Sequence, residues 1–468
     1  MKSTILKSLC LSLAMISSSA ALAAADTEPA SPRNVILIVG DGMDDHQITI
    51  ARNYLAGSRG KINLDEMAFR SSVQVLTVDD KDPSKPIYVA DSANSATSLA
   101  TGEVTSRGRI STSAKYDKDL VTIVDLAKQA GLKAGIVTTS SITDATPSSF
   151  VAHISQRECE NPDMMVDAVI YQRKPVDCSQ DVKAKGGPGS ISEQLAASNV
   201  DVLLGGGMEH FTKQAEGSSK SVLEQAEGNG FYIADSAEKL KSAPAEKKLL
   251  GLFAEGNLPE RMAYEGEREA EQPNPSMLNY LHKYLGSVEM PDTVKCEPNA
   301  AFGDTPELKE MTAVAIDRLS GNKDKGFFLM VESASIDKAS HQRRACGQIG
   351  ELQQLTEALD VALNFAEKNE NTLVLVTADH GQAAQLMPDT SLFEAFNLPA
   401  YSPGFVARVE TPEGVTMAVN YATNGLFAEE HTGVNVPLFA NKEGVGRVPT
   451  MLAQPDIFNV MTRYLNLN

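Results

Sequence analysis

The stretch Val35-Ile36-Leu37-Ile38-Val39, followed at once by Gly40-Asp41-Gly42, decides how this chain is read. An aliphatic run without polar alternation fits a strand buried on both faces, as in parallel sheets. Three more runs have the same form, at residues 134–137, 327–331 and 372–376, and each gives way to a small, polar cluster. Helical periodicity falls between them, over residues 120–130, 305–319 and 349–368. Strand alternating with helix predicts a doubly wound α/β fold, its mostly parallel central sheet flanked by helices. Residues 200–204 and Gly205-Gly206-Gly207 add a strand and a structural turn, since no G-K-[ST] follows to make a phosphate loop. Residues 251–298, rich in Pro, Glu and Asn with weak periodicity, read as a lid-like insertion. Residues 398–426 alternate apolar and polar, as a small antiparallel excursion near the C-terminus would.

Residues 1–25 carry Lys2 and Lys7, a short apolar run and then small residues ending in Ala23-Ala24-Ala25. This is the pattern of a secretory signal peptide removed after Ala23 or Ala25, and it implies a periplasmic or secreted protein. The apolar run is too short to span a bilayer, so no membrane association is expected. Four cysteines remain beyond it, Cys159, Cys178, Cys296 and Cys346, an even number in an exported chain, so pairing is expected. Three connectivities are possible; proximity in sequence favours Cys159 with Cys178 and Cys296 with Cys346. The net charge of −19 becomes more negative once Lys2 and Lys7 are lost. So acidic a chain is a poor nucleic-acid binder, and any phosphate site must be a local positive island.

In open α/β sheets the ligand site lies at the carboxyl ends of the strands. The four runs empty into Asp41, Asp144, Glu332 with Asp337 and His341, and Asp379-His380, while His431 lies in His431-Thr432-Gly433 further on. Singly, an Asp after a strand is more often a turn or cap residue. Together, acids and histidines converging from distant segments suit zinc and magnesium rather than soft metals. Asp91-Ser92-Ala93-Asn94-Ser95-Ala96-Thr97 can start a helix, and a serine there faces free backbone N–H groups that attract an anion. From this segment alone, Asp91 or Ser92 reads equally as a helix cap. No histidine neighbours Ser92 in sequence, so its activation would have to come from a metal.

At this point a family resemblance emerges. Gly40-Asp41-Gly42-Met43, the D-S-A-x-S-A-T run at Asp91 to Thr97, Thr143-Asp144-Ala145-Thr146-Pro147, the run from Val331 to Lys338, Thr377-Ala378-Asp379-His380 and His431-Thr432-Gly433 closely resemble bacterial alkaline phosphatases, especially the periplasmic, enterobacterial-like branch. The resemblance extends over nearly all of residues 26–468, which it implies form one domain with the insertion at 251–298. It implies hydrolysis of small phosphate monoesters, and phosphoryl transfer to alcohols, through a phosphoserine at Ser92, with inorganic phosphate released at alkaline pH. Asp41, Asp379 and His380 resemble the ligands of one zinc, and Asp337, His341 and His431 those of a second. Asp41, Thr146 and Glu332 resemble the magnesium ligands, giving two zinc ions and one magnesium ion per chain. Arg157 resembles the arginine that grips phosphate, with Asp91 orienting it and Asp144 and Lys338 acting from behind. A homodimer is implied as well. The chain departs from some relatives at Gly381-Gln382, where they carry a histidine that supports a zinc ligand, and this bears on metal retention.

Fold does not fix function. The rival readings are a phosphodiesterase, sulfatase or cofactor-independent phosphomutase on the same fold, and a non-catalytic periplasmic binder of phosphate or metal. His46, His153, His210 and His282 lack a partner pattern and read as structural or solvent-exposed.

Overall fold

The computed structural model describes residues 32–168, 175–267, 269–321, 325–390 and 403–467. The expected leader at 1–25 lies outside these residues. Ten strands form the main sheet: β1 (Arg33–Gly40), β2 (Phe69–Gln74), β3 (Lys133–Ser141), β4 (Val202–Gly206), β5 (Phe231–Ala234), β6 (Lys248–Leu252), β7 (Gly326–Ser333), β8 (Thr372–Ala378), β9 (Val436–Ala440) and β10 (Met451–Ala453). Their spatial order is β10-β2-β9-β8-β1-β7-β3-β4-β6-β5. From β8 to β5 every pairing is parallel, and β9 alone runs against its neighbours. The doubly wound reading is borne out.

Relevant helices are α1 (Asp45–Ala56), α2 (Ser92–Thr101), α3 (Ile123–Gln129), α4 (Ala145–Ser148), α5 (Leu308–Ser320), α6 (Ser335–His341), α7 (Ala345–Lys368) and α8 (Gln454–Leu465). Differences from the sequence reading fall at helix ends. Helix α3 starts later than residue 120 because the Thr122 hydroxyl accepts from Asp125 N at 3.1 Å and closes a capping box. Helix α7 starts earlier, at Ala345, directly after the turn that closes α6. Strand β4 absorbs Gly205 and Gly206, leaving only Gly207 to make the turn.

Strands β1, β7 and β8 are buried along nearly their whole length, which is why their sequences lack alternation. Their registers set the site. Gly40 is level with Ser333 on one side and Ala378 on the other, so these three strands end together. Next along, Glu332 of β7 is level with Thr138 of β3.

The insertion leaves the sheet after Leu252 and returns as an antiparallel pair, Met262–Tyr264 with Cys296–Pro298. It lies close to α7: a Cβ at Gly350 would come within 2.9 Å of the Met262 side chain, so this position favours glycine. Disulfides join Cys159 to Cys178 and Cys296 to Cys346, the second stapling the insertion to the start of α7. Of the expected C-terminal excursion, Phe405–Glu410 pairs antiparallel with Thr416–Tyr421; residues 398–402 lie outside the described residues.

Candidate active site

Each functional side chain is delivered by a strand tip or by the element that follows one. Asp41 leaves β1, and its N–H donates to Ser333 O at 3.1 Å. Gly42 then turns with φ +67°, placing its N–H 3.0 Å from Asp379 Oδ1. A Cβ there would press within 3.1 Å of both Asp337 and Gln382 in a conformation L residues rarely adopt. Asp379 and His380 leave β8. Asp337 and His341 stand one turn apart on α6, so both face one way.

Two three-residue clusters result, Asp41 with Asp379 and His380, and Asp337 with His341 and His431, the ligand atoms of each lying within 4.8 Å of one another. In the first, His380 Nε2 is 3.4 Å from Asp41 Oδ1 and 3.3 Å from Asp379 Oδ2, while its Nδ1 lies 3.2 Å from Gly381 O. In the second, the Nε2 atoms of His341 and His431 face each other at 3.0 Å. Both face Asp337 at 3.3 and 3.4 Å, while their Nδ1 atoms turn to Glu429 O and Ala90 O. An Nδ1 that donates to a carbonyl leaves the Nε2 lone pair free. Lone pairs and carboxylate oxygens converging in this way fit a divalent cation.

No histidine neighbours Ser92 in sequence, yet His380 Nε2 lies 3.1 Å from Ser92 Oγ. This is not a Ser-His-Asp relay, because both acids approach the same Nε2 that meets the serine, whereas a relay needs the acid on Nδ1. Ser92 is 3 % exposed and opens α2. Asp91 caps that helix by accepting from Asn94 N at 3.0 Å.

A third group lies beside the first. Glu332 Oε2 accepts from Thr138 Oγ1 at 2.5 Å and Ser140 Oγ at 3.4 Å, and the buried Thr146 hydroxyl also interacts with the Glu332 carboxylate. Hydroxyl and carboxylate oxygens gathered in one buried place fit a hard, oxygen-seeking cation. Arg157 Nη2 donates to Asp144 Oδ1 at 2.9 Å, and its Nη1 lies 3.6 Å from Asp91 Oδ2. Lys338 Nζ meets Asp144 Oδ2 at 2.5 Å. Asp144 thus bridges the two cations. Gln382 Nε2 donates to Asp337 Oδ1 at 2.6 Å, and its Oε1 accepts from Ala383 N at 2.7 Å. It therefore supports a member of the second cluster without a ring.

The electrostatics match this crowding. Burial, then the charges of Asp379, Asp337 and Glu332, push the Asp41 carboxyl well above its usual range. Burial moves Asp379 up to about 6 and Glu332 up to about 7. It pushes His380 and His431 down to about 4. Asp337 goes the other way: burial opposes its charge, but His341 and His431 outweigh burial and hold it well below. Asp144 is likewise held low against burial by Lys338 and Arg157.

Of the remaining histidines, His46 and His282 are exposed, and His153 Nε2 bonds Leu120 O at 2.8 Å. His210 is buried, 2.9 Å from Asn161 and 3.2 Å from Glu160. Sequence reasoning missed the residues behind the second cluster, Arg343 and Glu429, whose opposite charges lie 86 positions apart with no local pattern linking them.

Fold and site together define a class: an α/β protein with two candidate metal centres at the tips of a parallel sheet, one of them enclosing a helix-opening serine. Residues 32–422 match the sequence profile of the alkaline phosphatase family. The chain is 38% identical to the alkaline phosphatase of Escherichia coli K12 over 444 residues, covering 93% of this chain and 86% of that one. It is 36% identical to streptomycin-6-phosphate phosphatase of Streptomyces griseus, covering 94% and 92%. The alkaline phosphatase of the Antarctic bacterium TAB5 shares the fold, with a TM-score of 0.64 at 23% identity over 94% of this chain and 99% of that one. The chain belongs to the alkaline phosphatase family, whose members hydrolyse phosphate monoesters.

Proposed function

We propose that this chain hydrolyses small phosphate monoesters in two displacements, with Ser92 Oγ as the nucleophile of the first. One observation carries the reading. Ser92 Oγ stands 3.1 Å from His380 Nε2 and 3.5 Å from Asp41 Oδ1, so the hydroxyl lies against two members of a three-ligand cluster. In the first displacement Ser92 Oγ bonds to phosphorus as the bond to the alcohol oxygen breaks, leaving phosphoserine. In the second, water attacks the phosphoserine and inorganic phosphate departs; an alcohol in place of water gives phosphoryl transfer. Arg157 presents a planar fork suited to two phosphate oxygens, while Asp144 and Asp91 hold it in place. The N-terminus of α2 adds backbone N–H groups facing the same anion.

Asp41, Asp379 and His380 would hold one zinc, Asp337, His341 and His431 a second, and Asp41, Thr146 and Glu332 a magnesium. When bound, these ions supply positive charge that favours the ionised serine and offsets charge on the leaving oxygen. Lys338 adds positive charge through Asp144, and Gln382 keeps Asp337 oriented. We further propose removal of residues 1–25, residence in the periplasm or outside the cell, and a homodimer. On this reading residues 26–468 make one domain with the insertion at 251–298. Two disulfides support an oxidising compartment. No helix among the described residues is long and apolar enough to cross a membrane.

The purified protein is expected to carry about two zinc and one magnesium per chain, and to hydrolyse p-nitrophenyl phosphate faster than its bis ester. A faster rate on the diester overturns the monoesterase reading.

A further inference from the structure

His341 and His431 belong to segments 90 residues apart, and one buried ion pair joins those segments behind the imidazoles. Arg343, two residues past His341, places Nε 2.6 Å from Oε1 of Glu429, two residues before His431, and the Glu429 side chain is fully buried. The same guanidinium donates from Nη2 to Leu426 O at 2.7 Å and lies 3.7 Å from the centre of the Phe405 ring. Glu429 Oε2 accepts from Thr423 N at 2.9 Å and Thr423 Oγ1 at 2.5 Å, so the carboxylate is held on both oxygens.

The backbone of Glu429 meanwhile takes His341 from two sides. Its N–H donates to His341 O at 3.0 Å, and its carbonyl accepts from His341 Nδ1 at 2.5 Å. The second contact selects the Nδ1–H tautomer and leaves the Nε2 lone pair facing His431 and Asp337. Arg343 reaches its partner with φ +60°, a left-handed conformation uncommon for a long side chain. Strain of this kind persists where surrounding contacts over-determine it, and here they number an ion pair, a carbonyl bond and an aromatic ring.

We propose that Arg343 and Glu429 are positioning residues for the second centre, their ion pair fixing the tautomer and placement of His341 and so governing how firmly that centre alone keeps a divalent cation. The proposal rests on Asp337, His341 and His431 being a metal centre. The first cluster is held by other means: Gly42 N–H on Asp379 Oδ1, Gln454 Nε2 on Asp379 O, and Gly381 O beside His380 Nδ1. Loosening the clamp therefore acts on one centre.

The test is release of zinc from the zinc-loaded, full-length protein to a chromogenic chelator, followed in wild type, Glu429→Gln and Glu430→Gln. Gln at 429 keeps the size and an acceptor but not the charge; the Glu430 control removes the same charge from the exposed neighbouring residue. In Glu429→Gln, about one equivalent per chain is expected to leave at least about tenfold faster than in wild type. The remaining equivalents and the control keep wild-type rates. Unchanged release, or equal acceleration of every equivalent, overturns the proposal. His431→Ala tests the underlying reading separately: if it loads as many equivalents as wild type, the second cluster is not a metal centre. Arg343→Lys, which keeps the charge but not the planar fork, gives the same readout should Glu429→Gln fail to fold, with faster release of one equivalent supporting the clamp and wild-type release overturning it.

Discussion

The two candidate metal-binding clusters are built by different means. Asp41, Asp379 and His380 are carried by adjacent strands of one register and are almost wholly enclosed, with side-chain exposures of 4 % or less. Asp337 and His341 are carried by helix α6 and His431 by a two-residue strand, His431–Thr432, paired antiparallel with Gly381–Gln382, and the side chains of His341 and His431 remain 31 % and 14 % exposed. A sheet register places side chains without further devices, because the ladder has already fixed the backbone. A short helix and a two-residue strand outside the main sheet must be fastened, and the second cluster has Gln382, Ala90, Glu429 and Arg343 doing so. The difference predicts an inner centre set by the fold and an outer centre set by side-chain contacts.

The strongest challenge to this contrast is Ser92→Ala. It is expected to abolish phosphoenzyme trapping with labelled substrate and to lower kcat by at least about 10³-fold, while metal content stays at the wild-type level. Retained turnover would mean that the serine only opens the helix and that its place in the inner cluster is incidental. Asp379→Asn against His431→Asn comes next. The first is expected to lower kcat/KM by about 10²-fold or more, and added zinc to restore little, because the buried ligand belongs to a fixed register. The second should fall less and recover more as zinc is titrated in; equal behaviour would erase the distinction.

A smaller effect is expected from Gln382→Ala, which removes the donor on Asp337 Oδ1. Sensitivity of activity to a chelator should rise about tenfold, with p-nitrophenyl phosphate KM nearly unchanged in excess zinc. The smallest concerns pH. In metal-stripped protein Glu332 titrates at about 7 rather than 4.5, and Asp379 at about 6 rather than 3.8, both chiefly through burial. Between roughly pH 4 and 7 these carboxyls, with Asp41 raised further, hold protons that the unfolded chain has released. His380 and His431, pushed down to about 4, act the other way. Three raised carboxyls and the raised His341 outweigh them, so stability falls as pH rises through that window. The Tm of stripped protein should drop by a few degrees from pH 5 to pH 8, and zinc with magnesium should remove the trend. A flat profile would show that these carboxylates are less enclosed than the inner cluster requires.

How much of this was legible in the sequence follows from the same contrast. The strands β1, β3, β7 and β8 were visible because burial on both faces leaves an uninterrupted apolar run. The tips of β1, β7 and β8 were visible because Asp41, Glu332 and Asp379 sit one to three residues past the ends of their runs. The four-residue spacing of Asp337 and His341 is that of neighbours on one helix face. What remained hidden depends on contacts between remote segments: the approach of His380 to Ser92, and the Arg343–Glu429 pair. An arginine and a glutamate have no periodicity to betray them, and a 3.1 Å contact across 288 residues leaves no local trace. The pairing of Met262–Tyr264 with Cys296–Pro298 was obscured by weak alternation in short strands at the edge of the fold.

The register of β1 has a further consequence, in the order of events as the chain is made. The central strand finds both of its neighbours far downstream, Asn34 facing Phe327 on one side and Thr372 on the other. Until most of the polypeptide has emerged, this apolar strand has nothing to pair with, and contacts so distant in sequence make for slow folding. A growing chain would therefore stay loose, without either centre assembled, until near its end. If the chain is exported as proposed, late closure of the central strand delays the fold that would block its passage across a membrane.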